Sequence, residues 1–181
     1  MPRAPHRRNA GLSLVELMIT IAIFVLLAMM AFPTYSTWLA SQQVRTATES
    51  VLNGVRVAQG EAVKRNATVR FVLDPADGWE VQLVSDDSVL RAATFREGSP
   101  KVALTATPVG TTTVVFDGLG RVLKSDLSPL DERITWDVDT STGLSGVRTL
   151  RVVVDTAAAT GVGIRSCDPN LASTDPRGCP T

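Results

Sequence analysis

Residues 11–32 read GLSLVELMITIAIFVLLAMMAF, and from Leu12 onward this stretch contains a single charged residue, Glu16. A helix of that length rises about 30 Å, which is the thickness of the hydrocarbon core of a bilayer. The segment is therefore long enough to span a membrane. Arg3, Arg7 and Arg8 precede it, and the positive-inside rule keeps such a flank in the cytoplasm. The rest of the chain is then expected beyond the inner membrane.

Two ordinary explanations of this segment leave something unexplained. A secretory signal peptide has an apolar core of about 7 to 15 residues followed by a small-residue cleavage site. Here the apolar run is longer, and the small, polar break at residues 9–11 precedes it. A simple membrane anchor explains everything except Glu16, because a carboxylate inside a spanning helix costs about 2.5–3.5 kcal/mol on insertion scales. Glu16 is therefore expected to have a partner.

The segment Gly11-Leu12-Ser13-Leu14-Val15-Glu16-Leu17 resembles the processing motif that type IV pilins share with the pseudopilins of type II secretion. The resemblance implies that a prepilin peptidase cuts between Gly11 and Leu12 and N-methylates Leu12. It also implies that Glu16 meets the terminal amine of a neighbouring subunit during filament assembly. The physical account agrees, since a carboxylate and an ammonium that are each costly in apolar surroundings offset one another when paired.

The helix is predicted to continue beyond the membrane. Pro33 removes one helical hydrogen bond, and in the resembled family a proline at this distance from the cut is common where the helix softens within a filament. Apolar residues then recur with a helical spacing of three or four, namely Val44, Ala47, Val51, Val55, Ala58 and Ala62. The positions opposite this stripe are polar, namely Gln42, Arg45, Thr48, Glu49, Arg56 and Gln59. Lys64, Arg65 and Asn66 are suited to end a helix.

After Asn66 the pattern changes to the period of two that is typical of strands. Strands are predicted at 68–73, 79–84, 89–95, 102–107, 112–116, 133–137 and 149–155. Of the last four, the first two and the last two are expected to pair as hairpins. The domains are then a cleaved leader (1–11), a helix that spans the membrane to about residue 35 and is amphipathic to 66 (12–66), and a β-rich periplasmic domain (67–181). The fold class is α+β, a long helix packed on an antiparallel sheet, which is also the pilin-like roll of the resembled family.

The composition argues against an enzyme. The only histidine, His6, lies in the leader, and Ser-His-Asp, Cys-His and the usual His-containing zinc sites all need an imidazole. No phosphate-binding loop and no ligand-spaced cysteine set is present. We therefore expect no catalytic residues, no metal and no cofactor. Removing the three leader arginines from 18 basic residues leaves 15 against 18 acidic ones, so the mature chain is mildly acidic.

Three features resemble the GspH, FimT and FimU group in particular. Residues 114–121 read VVFDGLGR, similar to that group's strand and glycine turn, although a strand followed by Asp-Gly is also a generic hairpin. Residues 148–155 and 161–167 resemble its final hairpin, which commonly ends in Gly-Arg-X-Arg-X-Cys. Arg165 and Cys167 match that ending, whereas Val162 and Gly163 replace the glycine and the first arginine. Because such arginines contribute to DNA binding in FimT-like proteins, one that remains alone supplies little phosphate neutralisation.

The third feature is the tail between Cys167 and Cys179, which resembles the FimU- and FimT-type terminus. Two cysteines in an exported domain are usually bridged, because the periplasm is oxidising. The bridge would tie a proline-containing tail to the last strand. The same loop could also present Arg165 and Arg177, with Arg148 and Arg151 nearby, to DNA or to a partner protein.

Taken with the resemblance, these observations predict a minor pilin of a Gram-negative bacterium. It would sit in the inner membrane as a single-pass protein with its C-terminal domain in the periplasm, and then enter the pilus. Its partners would be major and minor pilins, the prepilin peptidase and the pilus assembly platform. The expected role is priming of pilus assembly near the tip, in twitching, adhesion or DNA uptake. The alternatives are a FimT-like DNA-binding pilin and a GspH-like pseudopilin of type II secretion.

Overall fold

One long helix, α1, runs from Leu14 to Arg65 and contains Pro33 in its interior. The structure is a computed structural model that describes residues 13–130, 132–155 and 163–179. Gly11 and Leu12 lie outside the described residues, as do residues 161 and 162 of the resembled hairpin ending. The chain divides into two compact units, one up to Ser36 and the other from Thr37 onward.

The first unit is the apolar half of α1. Every residue from 13 to 35 is exposed. By length and composition α1 is able to cross a membrane. The Ser36 hydroxyl donates a hydrogen bond to the carbonyl oxygen of Pro33 at 2.8 Å. The helix is continuous through this proline.

The second half of α1 belongs to the second unit and carries its apolar stripe inward. All six predicted positions, Val44, Ala47, Val51, Val55, Ala58 and Ala62, are fully buried. Thr48 was expected on the polar face, but it is buried, and this expectation is wrong. Its hydroxyl bonds the carbonyl oxygen of Val44 one turn back, at 2.7 Å. That bond satisfies the hydroxyl of Thr48, which is its only polar side-chain group. Thr48 can therefore be buried at the edge of the stripe.

The helix ends as the sequence predicts. Asn66 adopts the left-handed conformation with φ 46°, which asparagine tolerates better than most residues. Its amide donates to the carbonyl oxygen of Val63 at 3.3 Å, and the amide of Ala67 donates to that of Ala62 at 3.1 Å. This pair of bonds is a Schellman motif, which satisfies carbonyl groups that the helix end would otherwise leave open.

Within the described residues, nine strands follow the helix and form two antiparallel sheets. They are β1 (Val69–Asp74), β2 (Gly78–Leu83), β3 (Val89–Thr94), β4 (Val102–Thr107), β5 (Thr113–Phe116), β6 (Val122–Leu123), β7 (Ile134–Thr140), β8 (Leu150–Asp155) and β9 (Gly163–Cys167). The first sheet has the order β3-β2-β1-β5-β6, and the second has the order β4-β7-β8-β9. The α+β class is confirmed, with two sheets in place of the single sheet expected.

Both sheets bury their inner faces against the stripe of α1 in one core. Phe71 of the first sheet lies 5.6 Å, between ring centroids, from Trp136 of the second and 5.8 Å from Trp79. The indole N–H of Trp79 donates to Ser50 of the helix, and that of Trp136 to the carbonyl oxygen of Thr111, each at 2.9 Å. The aromatic residues therefore pack between the helix and the two sheets, and the indole N–H groups of both tryptophans still have hydrogen-bond acceptors.

The expected hairpin between 102–107 and 112–116 is wrong. β4 pairs with β7, and β5 pairs with β1 and β6, so the two strands lie in different sheets. The reason is burial. Residues 114–116 are all buried, as in a strand covered on both faces, whereas β4 alternates half-buried and exposed residues, as in a strand with one face open to solvent. The expected pairing of the last two strands is confirmed as β7 with β8.

Gly54 allows α1 to approach the first sheet closely. A β-carbon at this position would lie 2.7 Å from Cδ2 of Trp79 and 2.8 Å from Cε2 of Phe71, whereas one on Gly60 would meet nothing within 4 Å. Gly54→Ala is therefore expected to lower the free energy of unfolding by roughly 1–2 kcal/mol, because overpacking outweighs the gain in helix propensity. Gly60→Ala, the matched control, is expected to raise it by about 0.5–1 kcal/mol. Urea unfolding of the purified chain, followed by near-ultraviolet circular dichroism, measures both values, and a stabilised Gly54→Ala variant would contradict the close approach.

Candidate assembly and contact surfaces

Glu16 lies in the first turn of α1, and it is exposed. A carboxylate at a helix N-terminus is stabilised by the helix dipole. Among the residues that the structure describes, Glu16 has no ion-pair partner on its own chain. Around it, the apolar side chains of residues 14–32 are exposed as well. Glu16 is therefore an exposed carboxylate on an exposed apolar helix segment.

The structure joins Cys167, at the end of β9, to Cys179, with an S–S distance of 2.07 Å. Between them the tail forms a closed loop in which the amide of Asp168 donates to the carbonyl oxygen of Arg177 at 2.8 Å. Asp168 is buried, and its Oδ1 accepts the amide hydrogen of Asn170 at 2.9 Å. None of the residues from 169 to 179 is buried. The disulfide and these hydrogen bonds, rather than an apolar core, hold the loop.

Two of the four arginines predicted as contacts are already paired with acidic side chains. Arg151 on β8 lies directly opposite Asp137 on β7 and donates two hydrogen bonds to its carboxylate, at 2.6 and 2.8 Å. These bonds raise the pKa of Arg151. Arg177 donates to Asp175 at 3.1 and 3.2 Å. The hydrogen bonds from Arg177 lower the pKa of Asp175, with a smaller contribution from the charge of Arg148.

The other two arginines are exposed and unpaired in the part of the chain that the structure describes. Arg165 lies on β9 opposite Val153, and Arg148 precedes β8, close enough to Asp175 to affect its titration. The Arg151–Asp137 and Arg177–Asp175 pairs carry no net charge, so these two arginines add little electrostatic attraction for a phosphate backbone.

The VVFDGLGR segment forms a turn that docks on the end of α1. Asp117 Oδ1 accepts the amide hydrogens of Leu119 and Arg121 at 3.0 and 2.9 Å, and its other oxygen accepts from the Arg121 side chain. Desolvation acts to raise the pKa of Asp117, but the bonds from Arg121 outweigh it, and the pKa is lowered. Gly120 has φ 77°, and a β-carbon there would lie 3.1 Å from Cγ2 of Val63. The Gln59 side chain bonds the Gly120 carbonyl oxygen at 3.0 Å.

Two contacts of the second unit were missed by sequence reasoning because both depend on tertiary structure. Arg56 of α1 reaches the carbonyl oxygen of Ile164 on β9 at 3.3 Å. The loop between β7 and β8 also lies against the first residue of this unit, since a β-carbon on Gly146 would be 3.7 Å from Cγ2 of Thr37. The glycines at 143 and 146 were the available signal for a tight loop. Within the described residues, no group of three His, Cys, Asp or Glu side chains is arranged to hold a metal.

Two family models match different parts of the chain. Residues 47–158 match the family model described as type II transport protein GspH, which is more than half of the chain. Residues 6–32 match the model described as the prokaryotic N-terminal methylation motif. No curated protein matches the chain.

Two solved structures are similar in fold. One is the type IV minor pilin FimU of Pseudomonas aeruginosa, at 14% identity and a TM-score of 0.48, over 67% of this chain and 87% of that chain. The other is the minor pseudopilin EpsH from the type II secretion system of Vibrio cholerae, at 14% identity and a TM-score of 0.48, over 71% of this chain and 99% of that chain.

Proposed function

The chain belongs to the GspH family, and from this premise we propose that it is a minor pilin that primes assembly of a type IV pilus and stays near its tip. One observation supports the role most directly. Residues 13–35 form an apolar helix that is exposed throughout, while the second unit has a closed core of its own. Such a helix needs a bilayer before assembly and the helices of other subunits afterwards.

The methylation-motif match at residues 6–32 supports the proposed processing. The prepilin peptidase would cut between Gly11 and Leu12 and methylate Leu12, so that Glu16 becomes the fifth residue of the mature chain. We place the precursor in the inner membrane with residues 67–181 in the periplasm. Its proposed partners are the major and minor pilins and the assembly platform, which it would meet through α1, and we propose that α1 softens around Pro33 only within a filament.

A second candidate is a pseudopilin of type II secretion, and the description of the matching family favours it. Both candidates use the same anchor and the same packing of α1, so they differ only in the filament that the chain joins. The Cys167–Cys179 tail, which resembles the terminus of FimU- and FimT-type pilins, is our reason for preferring the pilus.

Deletion of the gene separates the two candidates. For the pilus role we expect loss of surface pili and of twitching, with secreted enzymes at their normal level and with recovery when the gene is restored. Loss of secretion with normal pili would replace this proposal by the pseudopilin. If pili, twitching and secretion were all unchanged, both candidates would be wrong.

A DNA-binding pilin is the weakest candidate. It rests on Arg148 and Arg165, because Arg151 and Arg177 are held by Asp137 and Asp175. A gel-shift titration of the purified chain with duplex DNA tests it directly, since phosphate contacts weaken steeply with added salt. A salt-sensitive shift at micromolar protein that Arg165→Gln abolishes would revive this candidate.

A further inference from the structure

The loop between β7 and β8, residues 141–149, lies at the end of the second unit that contains Thr37. Thr37 is the first residue of that unit, and only Ser36 separates it in sequence from the exposed residues 13–35. A β-carbon on Gly146 would lie 3.7 Å from Cγ2 of Thr37, so the loop passes beside this residue. Gly143 and Gly146 have φ values of 65° and 86°, which let the loop turn tightly there.

The side chains at this end have the chemistry of a membrane interface. Leu144 at the loop tip and Trp38 in the helix are 37% and 55% exposed. Lys101 and Arg148 are exposed and, within the described residues, form no ion pair. Lys101 is held to the loop by its carbonyl oxygen, which accepts the amide hydrogen of Ser141 at 3.0 Å. Tryptophan and long cationic side chains are the residues that concentrate at the level of lipid headgroups.

Neither Asp139 nor Asp175, the acidic groups nearby, forms an ion pair with Lys101 or Arg148 in the described part of the chain. Asp139 accepts hydrogen bonds from the Thr149 hydroxyl at 3.0 Å and from the amide of Thr140. Asp175 is bound by Arg177, and Arg148 lies close to that pair. The cationic heads of Lys101 and Arg148 therefore stay available to phosphate groups, although the net positive charge of this end is small. Insertion of Leu144 and Trp38 is the main attraction, and the two cations add to it.

From this placement we propose that residues 141–149, together with Trp38 and Lys101, form a second membrane contact that rests on the phospholipid headgroups while the chain awaits assembly. The contact would fix the tilt and rotation of the second unit on the bilayer, since α1 alone leaves rotation about its axis open. This inference rests on the proposed function, because it requires that residues up to about 36 be inside the membrane.

The helix itself supplies a control at the opposite end. The 117–121 turn lies against Val63, which is 26 residues along α1 from Thr37 and hence about 40 Å away. Leu119 in that turn is 74% exposed, so it offers an exposed leucine in a glycine-containing turn far from Thr37. Only two cysteines are present in the sequence and both are in the disulfide, so each introduced cysteine is the sole free thiol.

The experiment uses the full chain in vesicles that contain a nitroxide-labelled phospholipid, with a fluorescent label on Leu144→Cys, Leu119→Cys or Phe24→Cys. We expect severalfold stronger quenching by headgroup-level nitroxide at position 144 than at position 119. Arg148→Glu should reduce quenching at 144 in anionic vesicles, and Lys64→Glu, near the far end of α1, should leave it unchanged.

Position 24 separates the possible failures. If the label at 24 is quenched by nitroxide deep in the bilayer but those at 144 and 119 are equally unquenched, the loop contact is wrong and the anchor stands. If the label at 24 is also unquenched, the anchor, and with it the proposed function, is wrong. Quenching at 144 that persists in Arg148→Glu at full strength would remove the cationic part of the proposal.

Discussion

Replacing Glu16 by alanine is expected to leave the chain in the membrane and to exclude it from the filament. In the proposed assembly the carboxylate neutralises a terminal amine that would otherwise be buried among apolar helices. Removing one partner of a buried ion pair costs about 3–5 kcal/mol, which corresponds to a loss of incorporation on the order of a hundredfold or more. Glu16→Gln should behave similarly, because it keeps the shape of the side chain and removes the charge.

The measurement is the amount of the chain in sheared filaments relative to the membrane fraction. Glu49→Ala is the matched control, since Glu49 is an exposed acid on the same helix whose ion pair with Arg45, at 2.9 Å, is open to solvent. Such exposed pairs contribute about 1 kcal/mol or less, and normal incorporation is expected. If Glu16→Ala entered filaments as well as the unsubstituted chain, the proposed assembly contact would have to be abandoned.

Replacing both cysteines of the tail by alanine is expected to lower the free energy of unfolding by about 3 kcal/mol on the chain-entropy model. The bridged residues are 12 apart in sequence, and no residue from 169 to 179 is buried. The tail has little else to hold it on β9. We therefore also expect faster protease cleavage between the two cysteine positions.

Urea unfolding and limited proteolysis of the purified chain check this prediction. Reduction of the unsubstituted chain with dithiothreitol should reproduce both changes, which separates the loss of the bridge from any effect of the alanine side chains. Equal stability of the oxidised chain and the double variant would show that the tail is held by its hydrogen bonds, such as that from Asp168 to Arg177.

The helix could be predicted from sequence because its signals are local. The stripe from Val44 to Ala62 repeats with the period of a helix, and Asn66 is a suitable left-handed cap. The strand positions were predicted for a similar reason, since alternation and turn residues are visible in short windows. The 52 residues of α1 and most strand positions therefore follow from the sequence alone.

The strand pairing and the close contacts could not be predicted in the same way. Residues 102–107 and 112–116 are separated by a short loop, which suggests a hairpin, but the burial of Val114 and Phe116 against α1 decided the pairing instead. In the sequence Gly54 only lowers the predicted stability of the helix, whereas in the structure Trp79 and Phe71 pack closely against it. Sequence spacing predicts neither the strand pairing nor this close packing.

Some of the contact residues can be predicted from the sequence, and others depend on the tertiary structure. The two cysteines and Glu16 are recognisable by type and position. The state of the arginines, however, depends on register, since Arg151 meets Asp137 only because β8 pairs with β7 in that register. Arg151 looks like an available cation in the sequence, but in the fold its charge is neutralised by Asp137.

The interleaving of the two sheets has a consequence for synthesis of the chain. Translation produces α1 first and then β1 to β3, but β5 is needed to complete the first sheet beside β1, and β4 waits for β7. The apolar stripe of the helix can therefore be covered by both sheets only after about residue 155 has been made, and a ribosome adds only about 5–20 residues per second. In prematurely terminated chains that lack β5 to β8, the apolar stripe of α1 would stay exposed to solvent. We expect cells to degrade them, so only chains translated past β8 would reach the pool from which subunits are drawn.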